Sequence, residues 1–165
     1  KIFIFQVDER VAPDGHEDRN LTQLFKSLDG SGIMTRINVF HMPVTAENLE
    51  HACEDYAKVI EEITVSGQLD MIHLGMGTDG HTASLVPGDS ICLIENQDVA
   101  LTSAPYQGRI RMSLTYPLIN RAKEILWVIT GNEKREMFER FLSKDQDIPA
   151  GKINQKNAVV FTDLS

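Results

Sequence analysis

An alternation of short apolar runs with stretches of helical period narrows the folds open to this chain more than any other feature. Residues 2–7, Ile-Phe-Ile-Phe-Gln-Val, form a nearly continuous apolar run, the pattern of a strand covered on both faces. A polar loop is expected from Asp8 to about Asp18. Leu21, Leu24, Phe25 and Leu28 then recur at helical spacing, with Gly30 or Gly32 to end that helix. Arg36–Phe40 reads as a short strand. Thr45 is the expected N-cap of a helix over 46–65 with the apolar face Leu49, Ala52, Cys53, Tyr56, Ala57, Ile60 and Ile63, stopped at Gly67. Met71–Leu74 reads as a buried strand, Ile91–Ile94 and Val99–Ser103 as further candidates, and Ile125–Thr130 as a strand holding Trp127. Asn132 is positioned to cap a helix whose face is Met137, Phe138, Phe141 and Leu142, and Ala158–Phe161 is the last strand. Strands separated by helices imply βαβ units. The expected class is therefore α/β: a mostly parallel sheet flanked by helices, Rossmann-like, in three α/β/α layers.

At 165 residues the chain is of single-domain length and can bury a core without disulfide or metal staples. Sixteen basic against 24 acidic side chains leave a formal charge of −8, which argues against a nucleic-acid surface. It does not argue against a small anionic ligand in a locally basic pocket. No apolar run reaches about 18 residues and no signal peptide is evident, so no membrane association is expected. Cys53 and Cys92 form no CxxC and read as reduced thiols of a cytoplasmic protein, with a disulfide left open. The opening Lys1-Ile2-Phe3-Ile4-Phe5 has no lead-in, as if residues 1–165 formed a single α/β domain that begins inside a larger fold.

In open α/β sheets, ligands bind at the carboxyl ends of the strands. Three polar clusters fall there: Asp8-Glu9-Arg10, Gly75–Ser84, and Gly131–Lys134. Gly75-x-Gly77-x-x-Gly80 matches the dinucleotide fingerprint, with Glu95 twenty residues beyond Gly75. However, only six residues separate Gly80 from Pro87-Gly88, too few for a crossover helix. The glycines instead permit a tight turn and a close backbone approach to a ligand. Asp79-Gly80-His81 presents a carboxylate beside an imidazole, the side chain best matched to proton transfer near neutral pH. The alternative is a structural turn whose His81 bonds the backbone. Thr82–Leu85 is expected to start a short helix with amides aimed at an anion. Ser84 lacks a G-x-S-x-G setting and reads as a helix-packing serine.

Arg10 offers a fork for a carboxylate or phosphate. Gly108-Arg109-Ile110-Arg111 carries two cations at i, i+2, one of which is expected to face the site. Lys134 in a first helical turn makes sense opposite a bound anion. The five histidines show no HxH or HExxH, and His73 reads as a core residue, so no metal is expected.

Together these blocks resemble the 6-phosphogluconolactonase family. Leu74–Gly88 is similar to its signature, and Asp8-Glu9-Arg10 with Asn20 to a second motif. Arg109-Ile110, Ser113-Leu114-Thr115 and Pro117–Ala122 resemble a third, and Gly131-Asn132-Glu133-Lys134 a late turn. The resemblance implies hydrolysis of 6-phospho-D-glucono-1,5-lactone to 6-phosphogluconate in the pentose phosphate pathway, without a cofactor. It implies His81 as general base and acid, Asp79 as its orienting partner, and Asp8, Arg10, Gly77, Gly80, Arg109 and Lys134 around the substrate. It also implies fusion to, or coupling with, glucose-6-phosphate dehydrogenase, and an N-terminal βα unit with a phosphate loop that residues 1–165 lack. Glucosamine-6-phosphate deaminases share the fold and a DGH segment. They differ by a glutamate where this chain has Val86 and a tyrosine where it has Arg10. A non-catalytic sugar-phosphate-binding module is the third alternative.

Overall fold

The computed structural model describes residues 1–164. In chain order the elements are β1 (Ile2–Phe5), β2 (Asp8–Arg10), α1 (Asn20–Leu28), β3 (Ile37–Phe40), α2 (Leu49–Ile63), β4 (Met71–Leu74), β5 (Val99–Leu101), β6 (Arg111–Leu114), α3 (Tyr116–Asn120), β7 (Glu124–Ile129), α4 (Arg135–Leu142) and β8 (Ala158–Thr162). Strand β1 pairs with β3 in parallel, and β7 lies between β4 and β8, again in parallel. Helices flank these parallel strands in the expected α/β/α arrangement.

One part of the architecture departs from the expectation. Asp8-Glu9-Arg10 is not the start of a loop but strand β2, antiparallel to β6, which is in turn antiparallel to β5. Three charged residues in a row conceal a strand whose polar side chains are satisfied by hydrogen bonds instead of by water. Glu9 is fully buried and accepts from the Gln6 amide and from the backbone N–H groups of Arg10, Asn20 and Leu21. It also pairs with buried Arg19 at 3.0 Å. A carboxylate from β2 thus supplies the N-terminal cap of α1, a helix that Arg19 itself leaves without a side-chain cap.

Helix α2 begins three residues later than expected. Asn48, not Thr45, is the cap, its side chain accepting from the His51 N–H at 2.9 Å, while Pro43–Ala46 forms a turn. Ala52, Cys53, Tyr56 and Ile60 are its buried face. The 91–94 segment is not a strand but part of a 3-10 turn over Ser90–Leu93. Asp89 holds that turn by accepting from Ile91, Ser103 and Ala104. The core centres on Trp127, whose ring lies 4.8 Å from that of Phe141. Burying aromatic side chains of this size contributes about 2–3 kcal/mol each.

Strand β1 is not covered on both faces: Ile2 and Phe3 are exposed. His73, expected in the core, is also exposed, as is Met71 beside it. All four line a cleft of about 1100 Å³ that runs along consecutive residues of β1 and of β4 and reaches Asp8 and Asn20. Among the described strands β1 pairs only with β3 and β4 only with β7.

Candidate active site

The parallel register Leu74↔Trp127 brings the turn after β4 and the turn after β7 to the same edge of the sheet. The first turn is closed by Gly77 N–H to the His81 carbonyl at 2.9 Å, and by Gly80 N–H to the Gly77 carbonyl at 3.1 Å. Thr82 Oγ1 donates to the Gly75 carbonyl. Two glycines are required here. A Cβ on Gly77 would sit 2.1 Å from His81 Nδ1, and Gly80 has φ +80° with Ile148 packed where its Cβ would be.

This turn brings Asp79 and His81 together. His81 Nδ1 lies 2.6 Å from Asp79 Oδ1, which also accepts the His81 backbone N–H at 3.1 Å. Desolvation pushes the Asp79 carboxyl up. The hydrogen bonds from the His81 ring and backbone, the ring's charge and a bond from Tyr106 outweigh it, so Asp79 is held below the usual carboxylate range. A carboxylate on Nδ1 fixes the tautomer that protonates this nitrogen and leaves Nε2 as the base. His81 is half-buried and within reach of a ligand.

Beyond this turn the expectation changes. Thr82–Leu85 forms a two-residue bridge turn with Ala83 at φ 50°, not a helix. No helical amides point from it, and the dinucleotide alternative loses its crossover helix. Ser84 is not a helix-packing residue. Its buried Oγ donates to Asp8 Oδ2 at 2.7 Å, tying the two motifs together. Asn20 holds the other Asp8 oxygen at 3.0 Å. Desolvation pushes the Asp8 carboxyl up, past the opposing effects of the Ser84 bond and of Arg10 and Arg111.

Strand alternation places Asp8 and Arg10 on one face of β2 and Glu9 on the other. Arg10 lies opposite Arg111, donates to the Asp18 carbonyl at 2.7 Å, and keeps its buried Nε without a partner. Arg109 is engaged: it binds the Asp18 carboxylate at 3.0 Å and approaches His16 Nε2 at 3.2 Å. Lys134 closes a 3-10 turn over Asn132–Lys134 that leads into α4. It shares the sheet edge with the His81 turn but makes no hydrogen bond to it among the described residues. No group of three or more His, Cys, Asp or Glu side chains suited to a metal occurs among the described residues.

Sequence reasoning missed Tyr106 and, of the pair Arg109 and Arg111, favoured Arg109 for the site. Tyr106 lies between β5 and β6 and donates to Asp79 Oδ2 at 3.0 Å. Buried Arg111 stacks its guanidinium 4.9 Å from the Tyr106 ring centroid. The signal was present: Gln107-Gly108 between two β-like runs is a hairpin pattern.

The scaffold is thus an α/β fold with an Asp–His pair at the carboxyl end of its parallel strands. The chain belongs to the family of glucosamine-6-phosphate isomerases and 6-phosphogluconolactonases, whose model matches residues 1–162. It is 38% identical over 139 residues to the human GDH/6PGL endoplasmic bifunctional protein, covering 81% of this chain and 18% of that protein. It is 31% identical to the chloroplastic 6-phosphogluconolactonase 3 of Arabidopsis thaliana, over 95% of this chain and 52% of the relative. A 6-phosphogluconolactonase structure from Thermotoga maritima superposes with a TM-score of 0.80 at 29% identity, covering 96% of this chain and 70% of that one. The chain thus spans about half the length of the plant relative, and less than a fifth of the human one. No helix among the described residues is long and apolar enough to cross a membrane.

Proposed function

We propose that the protein carrying this chain hydrolyses 6-phospho-D-glucono-1,5-lactone to 6-phosphogluconate. The observation that carries the proposal is the 2.6 Å Asp79–His81 contact at the strand ends of a chain in this family. His81 Nε2 takes a proton from a water that attacks C1. The carbonyl π pair moves onto oxygen and the resulting oxyanion collapses. The C1–O5 bond breaks, and His81 returns the proton to the departing ring oxygen. Asp79 orients the ring and stabilises the imidazolium formed in the first step. A positioned acid–base group of this kind is worth about 10²–10⁴-fold, and a lactone needs no covalent intermediate. Arg10, with a buried Nε that lacks an acceptor, supplies positive charge to the anionic substrate, while Asp8, Gly77 and Gly80 shape the cavity beside it. Lys134 holds the 6-phosphate. Arg109 contributes less, because Asp18 already neutralises it. No cofactor enters these steps.

The lactonase is preferred over the deaminase because Val86, five residues beyond His81, has no proton to relay. The whole protein completes the domain with a further βα unit outside residues 1–165. Support comes from the β1–β4 cleft and from the greater length of the relatives. A dehydrogenase partner fits the bifunctional human relative. Cys53 and Cys92 are free thiols, as suits the cytoplasm, the proposed compartment. Relatives are named endoplasmic and chloroplastic, and fractionation distinguishes these.

The direct test is hydrolysis of freshly made lactone, corrected for the spontaneous rate, by wild type and His81→Ala. Loss of the enzymatic rate in the variant is expected, and an unchanged rate would remove His81 from the mechanism. Lys134→Ala should raise KM with little change in kcat. Ammonia released from glucosamine 6-phosphate would favour the deaminase instead, and ligand binding without turnover the binding module.

A further inference from the structure

Tyr106 stands on a two-residue hairpin loop. Its N–H bonds the Arg109 carbonyl at 2.9 Å, and Arg109 N–H returns a bond at 3.3 Å. Gln107 at φ 51° and Gly108 at φ 81° take the two left-handed positions of such a turn. Arg111 secures the tyrosine from β6. Its guanidinium lies over the ring at 4.9 Å, its Nε donates to the Tyr106 carbonyl at 3.3 Å, and its terminal nitrogen donates to Gln107 Oε1 at 3.0 Å. The held ring meets His81 edge-on, with centroids 5.2 Å apart and planes at 66°. Its hydroxyl reaches Asp79 Oδ2 at 3.0 Å and lies 3.3 Å from His81 Nδ1.

We propose that Tyr106 is a positioning residue for His81, acting through Asp79: its hydroxyl locks the second carboxylate oxygen and draws negative charge away from the first. This rests on the reading of His81 as the proton-transfer group. With both Asp79 oxygens engaged, the carboxylate cannot turn away from the ring, so Nδ1 stays protonated and Nε2 stays aimed at substrate. The same hydrogen bond spreads the Asp79 charge, so the carboxylate stabilises the imidazolium less. Desolvation and the neighbouring Asp79 carboxylate both push the tyrosine hydroxyl's own pKa up, against the opposing charge of Arg111. It remains a donor at neutral pH. The charged and titratable groups around the pair are Tyr106 and Arg111 from the hairpin, with Arg10 and Asp8 of β2 behind Arg111.

Tyr106→Phe keeps the ring and removes only the hydroxyl. The expected result has two parts. The ring-nitrogen NMR chemical shifts of His81, which report which nitrogen carries the proton, move from those of a single Nδ1–H form toward a mixture of the two tautomers. In addition, kcat falls by about three- to tenfold, as for loss of one hydrogen bond of ordinary net strength, while KM and the melting temperature stay put. Tyr106→Leu separates packing from hydrogen bonding. If Tyr106→Phe keeps the wild-type His81 ring shifts and turnover and only Tyr106→Leu loses rate, the role is ring packing and the proposal is overturned. The NMR readout does not depend on lactone turnover. Moved His81 ring shifts in Tyr106→Phe of a protein without lactonase activity would sustain the positioning role and overturn the substrate assignment. An active wild type whose Tyr106→Phe variant keeps the wild-type ring shifts would do the reverse.

Discussion

Two regions of this molecule treat burial in opposite ways. Around the antiparallel ladder β2–β6–β5 the polar residues are inside: Glu9, Ser84 and Ser113 are fully buried, and Arg19 and Arg111 are 2% and 3% exposed. Along the parallel strands the reverse holds, with Ile2 55%, Met71 54%, Val159 54% and Phe161 60% exposed. What separates the two is partner supply, not polarity. Glu9, Ser84, Ser113 and Arg111 have hydrogen-bond partners supplied by neighbouring strands and turns, so their dehydration costs little. These exposed side chains of β1, β4 and β8 have no second layer of described residues over them. A hydrophobic side chain without a second layer stays in water whatever its propensity.

The largest effect should come from breaking the ladder's centre. Glu9→Ala leaves Arg19 buried without its carboxylate and should cost about 3–5 kcal/mol in denaturant unfolding. Desolvation alone would raise the Glu9 pKa, but the Gln6 amide and the backbone N–H groups of Leu21, Asn20 and Arg10 hold it below its ordinary value near 4.5. The sign follows. Its stabilisation is complete above about pH 4.5 and fades as pH falls through the lower folded-state value. In the variant that part of the acid loss should disappear. Asp8, one residue away, has its pKa raised and works the other way, costing stability as pH rises from its ordinary value through the folded-state one.

Gly77→Ala attacks the turn instead of the ladder. Its new Cβ must displace His81 Nδ1, so lactone turnover should drop by about 10²-fold, the lower end for losing a positioned acid–base group, with the circular dichroism unchanged. A smaller loss is expected for Ser84→Ala, which leaves Asp8 Oδ2 without its donor. About 1–3 kcal/mol should vanish from stability, more above the raised Asp8 pKa than below it. Least sensitive is the open face: Phe161→Ser should shift unfolding by less than about 0.5 kcal/mol. A loss several times larger would mean that this face is covered in solution, and the contrast between the two regions would then narrow.

Much of the skeleton was legible before any coordinates. Strand β4, the buried stripe of α2 and the Asp79–His81 pair all appear where the residues indicate, because periodicity and a short glycine turn are local properties. Strand β2 was not legible, since Asp8-Glu9-Arg10 carries no β signal until β6 and the start of α1 satisfy its charges. His73 shows the converse error. An apolar neighbourhood in sequence promised burial, but burial depends on what packs opposite. Thr82–Leu85 failed as a helix because the bond from Ser84 to Asp8 and the left-handed Ala83 favour a reversal of the chain.

The sequence by itself determined the α/β class, the turn that needs Gly77 and Gly80, and the juxtaposition of a carboxylate and an imidazole two residues apart. Each follows from backbone geometry over a few residues. Only the tertiary structure decided which charges are free and which are spoken for. Arg109 is held by Asp18, Arg10 keeps a buried donor unmatched, and Tyr106, 25 residues from His81 along the chain, closes the Asp79 carboxylate from its far side. Those outcomes depend on hydrogen bonds between segments distant in sequence, whose distances no local pattern encodes.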